Sequence, residues 1–282
     1  MVKVIYIAVM TVFCLSLAGC PPKKSYNKLP DNLKVHNLAP VYPDGSTESN
    51  ILNAISLDLH VLEIPEENFS KLDEIRRILS IRPIKFNSHL AFSDNSFSAY
   101  YGTNQLRRAV YDQLGIAEAQ QVSNSLLFID TQSNDIPIQQ IPQNQLVYFN
   151  NLEGDLEAAR IGPGFIVLHM IVEKANSLDD AAKVQMFPLF TRMSTHAISQ
   201  FAEMEKLQDF PFYSAALQLD MIPGDFIVLA PERHTNDMST LSGLFFSNPA
   251  GSIFYNSPQD RRLPERKPSI RIYIITCVGL NF

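Results

Sequence analysis

The chain has 282 residues, of which 46% are hydrophobic and 18% are charged, and its formal net charge at pH 7 is −6. This composition excludes an intrinsically disordered chain, and a mean hydropathy of −0.02 excludes a protein that crosses the membrane many times. The acidic balance does not favour nucleic acid or anionic lipid as a partner. The sequence therefore predicts a folded core, in one large or two small domains, and no nucleic-acid partner.

The N-terminal segment has the order of a bacterial secretory leader. Lys3 gives it a positive start, residues 4–16 form an uncharged apolar run, and Pro21 follows soon after. The run is about half of the roughly 20 residues that a membrane-spanning helix needs. We therefore expect residues 1–19 to be a signal peptide rather than a transmembrane segment.

The end of this leader carries the most specific motif in the sequence, Leu17-Ala18-Gly19-Cys20. The tetrapeptide resembles the lipobox of bacterial lipoproteins. The resemblance implies cleavage before Cys20 and acylation of its thiol and new amine, by palmitate or similar chains. The alternative is an ordinary leader with a chance cysteine at the cleavage site. Pro21 stands where many inner-membrane lipoproteins have aspartate, so the resemblance favours the periplasmic side of the outer membrane, with the inner membrane and the cell surface left open.

Residues 20–50 are polar and turn-rich, without a sustained hydrophobic period, which predicts a flexible tether. If Cys14 leaves with the leader and Cys20 carries lipid, Cys277 has no partner for an internal disulfide. Cys277 lies in an apolar segment, which favours a buried, inert thiol over a reactive nucleophile.

The remaining residues, 51–282, are predicted to form a single α+β domain. Residues 51–120 form its α/β part, and residues 125–282 its mainly β part. Apolar and polar residues alternate from residue 55 onward, which predicts a half-buried strand that ends near residue 64.

Two amphipathic helices are predicted in the α/β part. Residues 69–79 carry apolar side chains at helical spacing with charged side chains between them. A second helix is predicted over residues 103–114, with Thr103 as its N-cap and Gly115 placed to end it.

The mainly β part consists of short apolar runs separated by turn residues. Residues 161–164 and 222–225 are predicted turns that lead into strands. A third helix is predicted over residues 190–207. A polar loop is predicted over residues 256–269. The predicted strands are residues 126–129, 146–149, 165–173, 226–229 and 270–280.

The sequence contains no motif of an activated nucleophile, a metalloprotease, a cysteine redox pair or a phosphate-binding loop. Glu232, His234 and Asp237 form one compact group that could in principle hold zinc. Their position just after a predicted strand favours a polar loop instead. His60 and His169 lie in predicted strands, where hydrogen-bonded or outward-facing histidines are expected. We therefore expect no catalytic residue, no bound metal and no cofactor.

The order of segments in residues 55–280 resembles that of the C-terminal β domain of secretins, the outer-membrane ring proteins of secretion and pilus systems. Three blocks carry most of the resemblance to the family blocks "dG-x-x-x-x-i-G-G", "P-x-x-G-x-L-F" and "e-L-x-i-x-i-T-P". They are Gly224-Asp225-Phe226-Ile227-Val228-Leu229, Leu241-Ser242-Gly243-Leu244-Phe245-Phe246 and Ile270-Arg271-Ile272-Tyr273-Ile274-Ile275-Thr276. The family's proline is absent after Thr276, and Leu241 or Ser242 replaces the earlier one. The resemblance therefore implies a reduced, secretin-like lipoprotein rather than a full channel.

The closing segment, residues 270–282, has an apolar face interrupted by Thr276. It is either an ordinary core strand or a lipid-facing strand.

Together these features predict a non-enzymatic, lipid-anchored envelope protein with a secretin-like domain, acting in secretion or envelope assembly. Its partners are the membrane, through the N-terminal lipid, and copies of itself in a ring or other envelope proteins. The alternative is a monomeric periplasmic lipoprotein that binds a ligand or partner.

Overall fold

The computed structural model describes residues 54–129, 133–175, 180–193, 209–254 and 265–281, all within the unit Asn50–Phe282. They form an α+β fold that is mainly β in its second half, as predicted. The strands are β1 (Ala54–Pro65), β2 (Lys85–Phe86), β3 (Phe97–Gly102), β4 (Gln120–Ile129), β5 (Ser133–Ile141), β6 (Gln145–Asn150), β7 (Leu156–Ile161), β8 (Gly164–Lys174), β9 (Ala182–Arg192), β10 (Phe210–Pro211), β11 (Leu217–Met221), β12 (Phe226–Pro231), β13 (Ser247–Phe254) and β14 (Glu265–Asn281). The helices are α1 (Leu72–Ile78), α2 (His89–Asp94), α3 (Arg107–Ile116) and α4 (Leu241–Phe246), with 3-10 turns at Glu66–Lys71, Asn104–Leu106 and Tyr213–Ala215.

The strands form two larger sheets and a hairpin, and all their pairings are antiparallel. The first sheet, which we call the central sheet, has the order β3-β12-β14-β1-β4, with β13 paired to the beginning of β14. The second sheet has the order β2-β11-β9-β8-β5, with β10 paired to β9. Strands β6 and β7 form the separate two-stranded hairpin. The first and last described strands, β1 and β14, are therefore neighbours.

The core lies on both faces of the central sheet. On one face, side chains of β1, β12 and β14 pack with those of the second sheet and the hairpin. On the other face, Ile272 and Ile274 of β14 pack with residues of α1 and α3, such as Leu72 and Val110. Each fully buried side chain of this size contributes about 1.5–3 kcal/mol to folding. The long apolar run of β14 follows from this position, because a strand covered on both faces needs no polar alternation.

The closing segment is accordingly a core strand over residues 270–277. Tyr273, Ile275 and Cys277 are buried on the side of the second sheet, in addition to the alternating positions on the helical side. The prediction of a polar loop over residues 256–269 is wrong for its last residues. Residues 265–269 already belong to β14, where they pair with β13, and residues 255–264 lie outside the described residues.

The first two predicted helices are confirmed, with different ends. The first begins as the 3-10 turn Glu66–Lys71 and continues as α1. The second begins after Thr103, although the Thr103 side chain makes no capping hydrogen bond. Gly115 does not end α3. The left-handed residue is Glu118, with a φ of 59°, and Ala119 N–H donates to the carbonyl of Leu114 at 2.9 Å.

The prediction of a helix over residues 190–207 is wrong at its start. Phe190 lies in β9, opposite Ile166 of β8 and Phe210 of β10, and its side chain is in the core between the sheets. Residues 194–208 lie outside the described residues. Strand β9 is buried over several consecutive residues around Phe190. Apolar residues in such a strand can also fall three or four positions apart, so the spacing was mistaken for a helical period.

Gly115→Ala should stabilise the fold by about 0.5–1 kcal/mol, because Gly115 is helical and a Cβ there meets open space. The free energy of urea-induced unfolding measures this. Gly224→Ala is the matched control and should destabilise, because Gly224 has a φ of 95° and lies near Asn104. Destabilisation by Gly115→Ala would indicate that Gly115 ends the helix after all.

Candidate functional site

Several sequence-predicted positions fall outside the described residues. Cys20 and its lipobox are among them, as is the tether over residues 20–50. None of the helices in the described ranges is long and apolar enough to cross a membrane.

The structure does not bring Glu232, His234 and Asp237 together as ligands. In the described ranges, no three histidine, cysteine or acidic side chains are grouped so that they could hold a metal ion. Glu232 instead accepts a 2.5 Å hydrogen bond from the Ser93 hydroxyl of α2. His234 Nε2 lies 3.1 Å from Glu66 Oε1.

Asp237 binds its own loop. Its Oδ1 accepts hydrogen bonds from the Ser239 backbone N–H at 2.9 Å and from the Ser239 hydroxyl at 2.6 Å. These bonds lower the pKa of the Asp237 carboxyl. Its carbonyl also accepts from the Thr240 hydroxyl at 2.8 Å, which holds the residue that caps α4. The group is a set of separate loop contacts, as the alternative interpretation expected.

The two strand histidines each lie next to an aspartate. His60 Nε2 lies 2.7 Å from Asp58 Oδ2 on the same strand, and His169 Nδ1 lies 2.5 Å from Asp135 Oδ1 across the β5–β8 pair. Both are hydrogen-bonded histidines, as the sequence predicted. Cys277 is fully buried, and burial raises the pKa of its thiol to about 11, so the thiolate is scarce at neutral pH.

The most concentrated polar cluster of the described residues surrounds Glu63, near the end of β1. Glu63 is only 3% exposed and lies directly opposite Arg271 of β14. Its carboxylate accepts hydrogen bonds from the hydroxyls of Ser252 and Ser269, the latter at 2.7 Å. The Asn248 amide donates at 3.2 Å, and Arg271 Nε also donates at 3.2 Å.

These contacts decide the charge of Glu63. Burial raises the pKa of its carboxyl, but the hydrogen bonds from Ser252 and Ser269 and the nearby Arg271 charge outweigh burial, so the pKa is lowered. An ionised carboxylate surrounded by four donor side chains has no oxygen left to act as a general base. The cluster therefore binds elements of the fold together.

Arg271 extends the cluster to the second sheet. Its Nη1 donates to the Ile138 carbonyl at 3.2 Å and to Gln139 Oε1 at 3.3 Å, both on β5. One charged pair thus joins β1, β13 and β14 of the central sheet to β5. Sequence reasoning missed this cluster because its members are about 200 residues apart, and the one available signal was a carboxylate, Glu63, between the apolar residues of β1.

A cleft of about 530 Å³ lies between the turn after β1 and the beginning of β14. Its lining includes Glu67 and Lys267, which form a 2.7 Å ion pair, and Arg266, which donates to the Ala250 carbonyl. Glu66, which also lines the cleft, accepts a hydrogen bond from the Asn236 amide at 2.8 Å. Nothing in this lining selects a particular ligand.

Comparison of the chain with protein-family models, with curated proteins and with solved structures finds no match.

Glu63→Gln should lower the free energy of unfolding at pH 7 by about 2–3 kcal/mol, because a buried charge pair loses one partner. The folded-state pKa lies below the ordinary value of 4.5, so the carboxylate contributes fully above that pH and loses its effect as the pH falls through the folded-state pKa. Urea unfolding of the wild type and of Glu63→Gln, measured from pH 7 into acid, should show that the difference between their free energies of unfolding becomes smaller as the pH falls.

Glu67→Gln is the matched control, since Glu67 pairs with Lys267 but its side chain is 62% exposed. The Glu67→Gln substitution should lower the free energy of unfolding by less than about 1 kcal/mol. Equal losses in the two variants would contradict a special role for Glu63.

The zinc hypothesis has a direct test. Zinc measured by elemental analysis, after incubation and dialysis, should stay well below one ion per chain in the wild type and be unchanged in His234→Ala. One bound zinc per chain that His234→Ala removes would restore the metal interpretation.

Proposed function

We propose that this chain is a non-enzymatic, lipid-anchored envelope protein with a secretin-like domain, acting in secretion or envelope assembly. The observation that carries the proposal is the Leu17-Ala18-Gly19-Cys20 motif at the end of a secretory leader. The proposal places the protein at the outer membrane, facing the periplasm.

The described polar side chains support a non-enzymatic role. The Glu63 carboxylate is occupied by structural donors, and the carboxylates of Glu232 and Asp237 accept from nearby serines. The Cys277 thiol is buried with a raised pKa. These four candidates for chemistry are thus bound in a way that suits folding rather than catalysis.

The arrangement of the three secretin-like blocks supports the second part of the proposal. The first block contains the turn at Gly224 and strand β12, the second is α4, and the third lies in β14. Strands β12 and β14 pair directly, and the Tyr273 hydroxyl donates to the Phe245 carbonyl of α4 at 2.8 Å. The three blocks therefore form one packing unit within the central sheet.

The anchoring hypothesis predicts the behaviour of Cys20→Ser. The tether of about 30 residues has an average reach of roughly 30 Å, at about 5–6 Å × √n, so the folded domain can lie clear of the lipid headgroups. Loss of the acylated cysteine should move the protein from the membrane fraction to the soluble or unprocessed pool and leave the fold intact. Cell fractionation with immunoblotting, together with circular dichroism, measures both.

The matched control is Cys277→Ser, which leaves the lipobox unchanged and should stay in the membrane fraction. If Cys20→Ser remains membrane-bound with its leader removed, lipid is not the anchor and the proposal is wrong on this point. In that case the domain itself would have to bind the bilayer.

The ring form of the proposal concerns assembly. Native mass spectrometry or electron microscopy of detergent-extracted protein should show multimers if copies form a ring. A strictly monomeric protein would favour the alternative, a monomeric lipoprotein that binds an envelope partner, and crosslinking in cells would then show that partner.

A further inference from the structure

The β6–β7 hairpin has a strand edge that the described part of the chain leaves unpaired. Strand β7 pairs with β6 in continuous register from Leu156 to Ile161, and no other described strand pairs with its second edge. The side chains on one face of this strand are open to solvent, with Leu156 70% exposed and Ala158 and Arg160 also exposed, whereas Ile161 on the other face is in the core. An exposed edge of this kind is a template for pairing with another strand.

The hydrogen bonds of β6 show which backbone groups of β7 face outward. Tyr148 N–H donates to the Ser239 carbonyl at 2.7 Å, and Asn150 N–H donates to Asn95 Oδ1 at 2.8 Å, both on the side away from β7. In an antiparallel pair, directly opposite residues point their backbone groups the same way, either toward each other or both outward. Tyr148 is opposite Ala158, and Asn150 is opposite Leu156.

The backbone groups of Ala158 and Leu156 therefore point away from β6. Backbone groups alternate in direction along a strand, so those of Arg160, two residues after Ala158, also point away from β6. Three residues of β7 thus present donors and acceptors along its free edge.

Three other edge strands of the described sheets carry features that hinder pairing. Strand β5 has Pro137 at a register shift, and β13 has Pro249 within another. Strand β3 is covered by Ser80, which exchanges two backbone hydrogen bonds with Tyr101. Strand β7 has neither a proline nor a register shift, so nothing in its own backbone interrupts the donors and acceptors along its free edge.

Apolar side chains accompany this edge. Leu146, Tyr148 and Leu156 share one face of the hairpin and are 43%, 42% and 70% exposed. On that face Leu146 lies opposite Arg160, Tyr148 lies opposite Ala158, and Leu156 lies opposite Asn150. An apolar patch next to an unpaired edge is typical of an interaction surface.

We propose that β7 pairs antiparallel with β7 of a second copy of this chain, with Ala158 on the two-fold axis. In this register Ala158 lies opposite Ala158 of the second copy, and Leu156 lies opposite Arg160 of the second copy. The register pairs all three outward-facing residues of both strands, and the small side chains of Ala158 and Ala159 at its centre allow close approach.

Charge favours the same arrangement. The end of the hairpin before and at the start of β7 is acidic, with Glu153, Asp155 and Glu157, whereas the far end of the strand carries Arg160. Antiparallel pairing brings the acidic end of each copy beside the arginine of the other. A parallel pairing would align like charges.

This inference goes beyond the proposed function. It depends on the free edge and not on the lipid anchor. A two-fold contact closes after two copies, so it predicts a dimer from this surface, whereas a ring requires a different, head-to-tail contact.

A charge-swap experiment on the full-length protein in detergent tests the register. Ala158→Asp and Ala158→Lys each place like charges opposite each other at the axis, so each alone should weaken dimerisation about tenfold or more. An equimolar mixture should restore the dimer, since opposite charges then meet. Native mass spectrometry over a concentration series measures the dimer fraction.

Val122→Asp is the matched control, because Val122 is a 49% exposed residue on β4, another edge strand. It should leave the dimer fraction unchanged. Circular dichroism checks that every variant is folded, and restoration of the dimer in the mixture is a second check.

Three results would overturn the inference. They are a monomeric wild type at all concentrations, an Ala158→Asp variant that associates like the wild type, and single variants that dissociate but do not recombine when mixed. None of them would change the fractionation of the lipid-anchored protein, so failure here is distinguishable from failure of the anchoring proposal.

Discussion

The pairing of β1 with β14 is the constraint on which the rest of the structure depends. Residues at the two ends of the described chain, Ala54 and Asn281, lie opposite each other in this pair. β14 also pairs with β12 and β13, and it is buried on both faces between the helices and the second sheet. Strand β14 is the last of the described strands, so both layers of the core depend on contacts between residues that are far apart in the sequence. Contacts of long sequence separation slow folding.

The Glu63–Arg271 pair adds specificity to this contact. Apolar side chains on both faces of β14 would tolerate several alignments, since many of them are isoleucines of the same size. A slip by one residue would move Arg271 to the other face and leave the buried Glu63 carboxylate without its charged partner. The cluster is therefore best understood as a device that fixes the register and joins β5 of the second sheet to the same point.

The sequence predicted the parts of this fold that depend on local pattern. Strand β1, the first two helices and the strands after the turns at Gly162 and Gly224 follow from periodicity and turn chemistry. Helix α2 was not predicted, because its six residues are too short to show a helical period, although Ser88 caps it through Ala91 N–H. The helix prediction at Phe190 was wrong because tertiary packing, not local period, determines a strand buried on both faces.

The polar sites were harder to predict for a different reason. The Glu63 cluster and the free edge of β7 both depend on which strands become neighbours. The partners of Glu63 are about 200 residues away, and such distant neighbours leave no local pattern. The sequence correctly indicated that Glu232, His234 and Asp237 belong to a polar loop, because a loop position can be recognised from the residues beside it.

Hydrogen exchange by NMR on the full-length protein tests this account most directly, because it separates a closed interior from an open edge. The amides of residues 270–277 should exchange slowly at every protein concentration. The amides of Leu156, Ala158 and Arg160 should exchange fast in dilute protein and become protected as the concentration rises. Fast exchange in β14, or exchange in β7 that does not depend on concentration, would contradict it.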